Sequence, residues 1–372
     1  MKKIDKNIGD REVRKSVTGN SAMNSWKKRV LWTIVFILIA AATVWAVTSE
    51  SRAFSLDTFI TYIAGTSKIW LIAAILCSLG FVFFEGEAVV YICRAFGYRA
   101  GHGRGFIYSA SDIYFSGITP SASGGQPVCA YYMIKDGIPA GITTVALLLN
   151  LTMYTLSILV ISLLVLITQP QVFMSFGVLS KVLIVIGYLI QCLLSLFFIL
   201  LLVKREILHG ICRRGIRLLC KIKLLRHEEE KQRGLDKYME EYAMCSEMIK
   251  HKKKALAVAF IFNILQRVSY ISIPLFVFLA TGGAVSESAV IWAVQSYVVI
   301  GSNAVPIPGA MGVSDYIMLD GYGKLMAYQD AVSFELLSRS LAFYICIVLC
   351  GILVLINHMM QKKRERKNDR IL

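Results

Sequence analysis

The chain has 372 residues, of which 56% are hydrophobic and 17% are charged, and its mean hydropathy is +0.62. Soluble globular domains have about 45–50% apolar and about 25% charged residues, so this composition excludes an ordinary soluble protein with one buried core. The formal net charge of +16 is a weak indication of nucleic-acid binding, because nearly all of the excess lies in three segments that flank the apolar runs.

Six apolar runs reach or approach the roughly 20 residues that a membrane-spanning helix needs. The first is longer than a usual signal-peptide core and lacks a clear cleavage site, so we expect it to be retained as a span. Two further segments, 106–133 and 288–319, are apolar but broken, which is typical of re-entrant hairpins. The predicted fold is an all-α polytopic membrane protein with about six spanning helices and two re-entrant hairpins. The predicted spans are 30–47, 69–91, 142–167, 178–203, 255–280 and 332–356.

Basic residues divide the apolar sequence into two membrane halves, 30–203 and 255–357. Lys and Arg outnumber Asp and Glu by nine to three in residues 1–29, by fifteen to eight in 204–254 and by six to two in 358–372. The positive-inside rule places these three segments, and therefore both termini, in the cytoplasm. The loop has the spacing of an amphipathic helix at an anionic inner leaflet; recognition of a charged lipid or of a partner is the alternative.

Each broken segment contains the same Pro-x-x-x-Gly interruption. Pro120 and Gly124 lie in the stretch ITPSASGGQP, and Pro308 and Gly312 lie in VPIPGAMGVSD. Such residues free backbone groups, which are tolerated at membrane depth only inside protein or beside a wet cavity. The order of spans makes the first hairpin enter from the inside and the second from the outside, so we expect an inverted repeat around a substrate site.

Charged residues inside apolar runs are the next signal, because they are costly in a membrane. Arg267 and Arg339 are predicted to hold an anionic phosphate together with backbone amides freed at the breaks. The alternative is that Arg339 pairs with Glu335 one turn earlier, and that Arg267 pairs with Asp315 or with an interfacial lipid.

Asp112 has no basic neighbour at helical spacing within its segment, so it is a candidate for contact with a proton, a cation or an amino group. Glu87 and Arg94, by contrast, lie close enough to a predicted membrane boundary for their side chains to snorkel.

Motifs for several other classes of chemistry are absent from the sequence. There is no H-E-x-x-H, no Walker loop, no G-x-S-x-G and no C-x-x-C. We therefore expect neither a metal nor a cofactor. The 51 residues of the loop 204–254 are too few for an independent catalytic domain.

The two motifs together resemble the lysylphosphatidylglycerol synthase transmembrane family, the flippase-like membrane region of the multiple peptide resistance factor. The resemblance covers roughly residues 30–356. In members with a soluble aminoacyltransferase domain, that domain transfers lysine from lysyl-tRNA to phosphatidylglycerol, and the membrane region moves the product to the outer leaflet. This lipid gives resistance to cationic peptides. The present chain resembles only the membrane part.

The resemblance also implies which residues are functional. Many members have Glu after the glycine of each motif, whereas this chain has Gln126 and Asp315, which leaves open a substrate other than lysylphosphatidylglycerol. The resemblance says little about Arg267. The positions that it supports are Pro120, Gly124, Gly125, Pro308, Gly309, Gly312, Asp315 and Arg339.

The expected function is lipid translocation in a bacterial inner membrane, with an anionic or aminoacylated phospholipid as the substrate. The alternative is phosphatidylglycerol lysyltransferase, or another membrane-embedded transferase that acts on a lipid; a structural scaffold is a third class. Expected partners are anionic inner-leaflet lipids at the basic loop and tails, and a separate synthase or a second copy of the chain. No nucleic acid is expected unless lysyl-tRNA is a donor.

Overall fold

A computed structural model of the protein describes residues 63–119, 123–221, 228–250, 252–305 and 308–368. The predicted first span at 30–47, the basic segment 1–29 and Pro120 lie outside the described residues. The described chain is almost entirely helical, without β-strands. Its helices are α1 Lys68–Ala95, α2 His102–Ile118, α3 Gly125–Lys135, α4 Ala140–Thr168, α5 Pro170–Ser175, α6 Val178–Val203, α7 Arg205–Lys221, α8 Glu228–Lys250, α9 Lys253–Ala280, α10 Ser288–Ser302, α11 Val313–Tyr322, α12 Tyr328–Arg339 and α13 Ile345–Asn368.

Within the part of the chain that the structure describes, five helical segments are long and apolar enough to cross a membrane. Four of them are α1, α4, α6 and α9, and the fifth runs through α12 and α13, which are joined by a wide π-helical turn at Ser340–Tyr344. Many large apolar side chains on these helices are exposed, as the lipid-facing side of a membrane helix requires. The predicted all-α polytopic fold is therefore confirmed, and each predicted span within the described residues corresponds to one of these segments.

The spans that precede the two broken segments, α1 and α9, pack against each other in opposite directions. Trp70 near the start of α1 stacks on Phe276 near the end of α9, with ring centroids 5.9 Å apart. Phe84, farther along α1, lies 6.3 Å from Phe262, which is nearer the start of α9. Equivalent helices that run antiparallel are what an inverted repeat produces.

The two broken segments are helix pairs, α2 with α3 and α10 with α11, and each pair packs against a span of the other half. Arg104 of α2 donates to Asn357 Oδ1 of α13 at 3.2 Å. Tyr154 of α4 donates to Asn303 Oδ1, just after α10, at 2.6 Å. The two halves are thus interlocked crosswise.

The predicted cytoplasmic loop forms the helices α7 and α8, which pack on each other and against the membrane helices. Tyr242 of α8 is fully buried, and its hydroxyl donates to the carbonyl oxygen of Leu201 at 2.9 Å. Exposed Arg213, Arg214 and Arg217 lie on α7. The loop is therefore attached to the bundle and presents a basic helix.

The inverted arrangement makes a prediction about sidedness. Pro139→Cys, before α4, and Ser286→Cys, before α10, both alter exposed positions and should face opposite sides of the membrane. A membrane-impermeant maleimide applied to intact cells expressing cysteine-free background variants should label Ser286→Cys only. Met244→Cys in the loop is the reference for cytoplasmic exposure, and labelling of Pro139→Cys and Ser286→Cys from the same side would contradict the arrangement.

Candidate functional site

A cavity of about 390 Å³ lies between the two breaks. It is lined by residues of α1–α4 and of α9–α13, so both halves of the chain contribute to it. Its walls combine aromatic rings with buried polar groups, as ligand pockets do. The charged and amide side chains that line it include Glu85, Asp112, Gln126, Asn150, Gln266, Arg267, Gln295, Asn303 and Arg339.

The first break brings the start of α3 against α2. Thr119 Oγ1 donates to the Phe115 carbonyl oxygen at 2.5 Å and accepts a hydrogen bond from the Gly124 amide at 2.9 Å. A β-carbon on Gly125 would collide with the Asp112 side chain, so only glycine allows this approach. Gln126 then donates to Asp112 Oδ2 at 2.5 Å. The break therefore fixes the Asp112 carboxyl group at the cavity wall.

The second break relies on backbone conformations that favour glycine. Gly309 and Gly312 have φ values of 64° and 83°, and Ala310 has a φ of 50°. Asp315 Oδ2 accepts a hydrogen bond from the Gly312 amide at 2.8 Å, which caps the start of α11. Pro308 opens the short turn Pro308–Ala310. Asp315 thus helps to end the break and begin the helix.

Arg339 fastens this second break to α12. Its Nη2 donates to the Gly309 carbonyl oxygen at 2.8 Å and to Ser314 Oγ at 3.0 Å. Its Nη1 forms an ion pair with Asp315 and a longer one, at 3.4 Å, with Glu335. The alternative pairing with Glu335 is therefore present, but it is accompanied by stronger contacts to the break. The side chain is 8% exposed and most of its donors are directed at protein groups.

Arg267 has a very different environment. Its guanidinium carbon lies 4.4 Å from the ring centroid of Tyr154, 5.1 Å from that of Phe81 and 5.4 Å from that of Tyr270. The Tyr154 hydroxyl is 3.5 Å from Nη1, at the limit of a hydrogen bond. Nε is buried without a hydrogen-bond partner, and the side chain is 4% exposed. Within the described part of the chain Arg267 has no ion pair, so the alternative pairing with Asp315 does not occur.

Glu85 is a cavity residue that the sequence analysis missed. It lies on α1, is buried, and accepts a hydrogen bond from Gln266 Nε2 at 3.0 Å. Asp112 lines the same cavity, and the two carboxyl groups are close enough to interact electrostatically. The signal in the sequence was an acidic residue in the middle of an apolar run, but only Glu87, two positions later, was considered. Glu87 instead meets His102 Nδ1 at 2.7 Å.

The predicted site residues divide into two groups. Asp112, Gln126, Arg267, Gly309 and Arg339 all line the cavity. Gly124, Gly125, Gly312 and Asp315 shape the two breaks, while Pro120 lies outside the described residues. Among the residues that the structure describes, no three His, Cys, Asp or Glu side chains converge as metal ligands would.

The relation to known proteins agrees with the two motifs. A family model described as the lysylphosphatidylglycerol synthase TM region matches residues 31–350. No curated protein matches the chain. The matched range contains both breaks and every helix from α1 to α12, so the resemblance noted from two short motifs extends over the whole membrane bundle.

Replacing Arg339 should destabilise the protein. Arg339→Ala leaves the Asp315 carboxylate without its ion pair and detaches the second break from α12, and breaking a buried pair costs about 3–5 kcal/mol. Thermal unfolding in detergent should show a clear fall in the melting temperature. Arg339→Ala combined with Asp315→Ala should recover part of the loss, because the unpaired carboxylate is gone. Exposed Arg233→Ala is the control, and equal melting temperatures for wild type, Arg339→Ala and the control would contradict the assignment.

Proposed function

Because this chain belongs to the family of the lysylphosphatidylglycerol synthase transmembrane region, we propose that it is a lipid translocase whose cavity receives an anionic phospholipid headgroup. The substrate is an anionic or aminoacylated phospholipid such as lysylphosphatidylglycerol. The setting is a bacterial inner membrane with both termini in the cytoplasm. There the exposed arginines of α7 attract anionic lipids of the inner leaflet. In this proposal the lipid is made by a separate synthase.

Arg267 is the observation that carries the proposal. Among the described residues no carboxylate makes a contact ion pair with Arg267, and Glu85 acts on it only electrostatically. A buried charge costs several kcal/mol even after relaxation, and each cation–π contact returns only about 0.5–2 kcal/mol. The three surrounding rings therefore offset part of the cost and leave donors of the guanidinium available to an anion. A phosphate would accept hydrogen bonds from this planar donor set, including Nε.

The volume of the cavity limits how much of a lipid can enter it. Its volume of about 390 Å³ suits a small polar headgroup. Two acyl chains do not fit there, and they lose nothing by remaining in the hydrocarbon region of the bilayer. The lipid therefore passes its headgroup along the bundle interior while its tails stay outside. The breaks at Gly124 and Gly309 lie on either side of this route. Because the helices are interrupted there, no unbroken helix obstructs the headgroup and the chain can bend.

Loss of the Arg267 charge should slow the movement of lipid. We expect Arg267→Gln to lower the rate of fluorescent-lipid scrambling in liposomes by about tenfold or more, because a charge-assisted hydrogen bond contributes about 1.5–3 kcal/mol. Lysylphosphatidylglycerol, phosphatidylglycerol and polyprenyl phosphate are compared in parallel, which identifies the headgroup class. Arg233→Gln, on the exposed face of α8, is the matched control. Equal rates for Arg267→Gln and wild type would remove Arg267 from the mechanism, and no movement of any lipid by the wild type would favour a transferase.

A membrane-embedded transferase is the second candidate, and the paired carboxyl groups of Glu85 and Asp112 are the observation in its favour. Carboxyl groups in a cavity can act as general acids or bases toward a lipid acceptor. Such an enzyme would need a donor, either lysyl-tRNA bound by the basic loop or a polyprenyl-linked sugar.

The basic helix α7 separates the two candidates. Replacing Arg213, Arg214 and Arg217 by Gln removes three exposed charges. A tRNA-dependent reaction should lose most of its activity, because polyanion binding depends on the number of phosphates neutralised. Lipid scrambling should change by less than about threefold, since the apolar spans, and not these surface charges, hold the protein in the bilayer. Lysine transfer to phosphatidylglycerol by the wild type, lost in the triple variant, would establish the enzyme.

A further inference from the structure

Two carboxyl groups lie at the cavity together with Arg267, which has no contact ion pair among the described residues. Glu85 on α1 and Asp112 on α2 line the same cavity, and each is 8% exposed. Two carboxylates that share a buried site repel each other, and a proton on one of them removes the repulsion. We therefore expect the pair to hold at least one proton.

The surrounding groups favour a proton over a metal cation as the occupant of the pair. Gln266 Nε2 donates to Glu85, while Gln126 Nε2 and Ser116 Oγ donate to Asp112 at 2.5 Å and 3.2 Å. A cation would have to displace these donors, because it needs the same oxygen atoms. A proton needs only the short path between the two carboxyl groups.

The charged and titratable groups around the pair come from several helices. Arg267 on α9 is the positive charge that acts on Glu85. Cys129 on α3 and Cys350 on α13 lie close enough to interact with the pair electrostatically. Arg339 lies at the same cavity, but Asp315 and Glu335 already compensate its charge. Arg267 is thus the cation whose charge the pair must balance.

We propose that Glu85 and Asp112 form a proton-binding site linked to the anion site at Arg267, so that an anionic headgroup enters the cavity together with a proton. The inference rests on the proposed function, because it assumes that Arg267 receives the headgroup. With one proton on the pair, the remaining carboxylate balances Arg267, and an incoming phosphate adds an uncompensated negative charge. Uptake of a second proton removes that charge: one O–H bond forms on the ionised carboxylate, and no other bond changes. Two buried polar atoms at the site, Nε of Arg267 and Oε1 of Gln266, have no hydrogen-bond partner among the described residues. The site can therefore form further hydrogen bonds with a ligand.

The coupling between lipid binding and proton uptake can be measured without a transport assay. Short-chain phosphatidylglycerol is titrated into the full-length protein in detergent, by calorimetry in buffers that differ in ionisation enthalpy. The wild type should take up about one proton per bound lipid, and its affinity should fall with rising pH by up to about tenfold per pH unit. The double variant Glu85→Gln/Asp112→Asn keeps the side-chain shapes but removes both carboxyl groups, so it should abolish both the proton uptake and the pH dependence. Each single variant leaves one carboxylate and should retain them.

Glu87→Gln is the matched control, since it makes the same change two residues farther along α1, where the side chain meets His102 instead of the cavity. It should behave like the wild type. Melting temperatures show whether Glu85→Gln and Asp112→Asn remain folded, and the wild-type pH dependence tests the inference even when they do not.

Three results would overturn the proton site: binding of lipid without proton uptake, proton uptake that persists in the double variant Glu85→Gln/Asp112→Asn, or an affinity that follows the concentration of Na⁺ at constant ionic strength instead of pH. If liposomes show scrambling while binding takes up no proton, the proton site fails and the translocase stands. If binding takes up a proton but no lipid moves, the translocase fails and the proton site stands.

Discussion

A guanidinium group inside a membrane protein must be compensated, and the two buried arginines of this bundle meet that requirement in opposite ways. Arg339 is compensated by the protein, through a carbonyl oxygen, a hydroxyl and two carboxylates. Among the described residues, Arg267 is compensated only by aromatic faces, the Tyr154 hydroxyl and the electrostatic influence of Glu85. Because burial of charge is among the largest costs in a membrane interior, this contrast separates an arginine that holds the fold from one that is available to a ligand.

The breaks exist because they let polar groups occupy the middle of the bundle. An unbroken helix would satisfy its own backbone and present side chains only around its surface, whereas a broken one brings two helix ends and their side chains to one place. At the first break, Gly125 allows α3 to approach Asp112. At the second, Gly309 and Gly312 adopt left-handed conformations, and the chain is then held by Arg339 and Asp315. The crosswise packing of each helix pair on the opposite half keeps both breaks at the same cavity.

The structure gives a physical reason for the two residues at which this chain differs from many relatives. Gln126 donates to Asp112, next to Glu85. A Glu at 126 would bring a third carboxyl group to the pair, and the amide supplies a donor where another acceptor would repel. Asp315 is short enough to cap Gly312 while it pairs with Arg339. Both departures therefore suit the local charge balance, and the substrate class follows from the whole cavity and not from either residue alone.

Local features of the sequence determined the elements of this protein. Apolar runs of membrane length predicted α1, α4, α6, α9 and the α12–α13 segment, and proline with glycine marked both breaks, because these patterns act over a few neighbouring residues. Helical spacing also placed Asn263, Gln266 and Arg267 on one face of α9. Tertiary structure alone decided which charges meet: Arg339 with Asp315, and Glu85 with Asp112. It also decided that Phe81, Tyr154 and Tyr270, from three helices, surround Arg267. Such pairings depend on the relative register and direction of packed helices, which no periodicity within a single helix encodes.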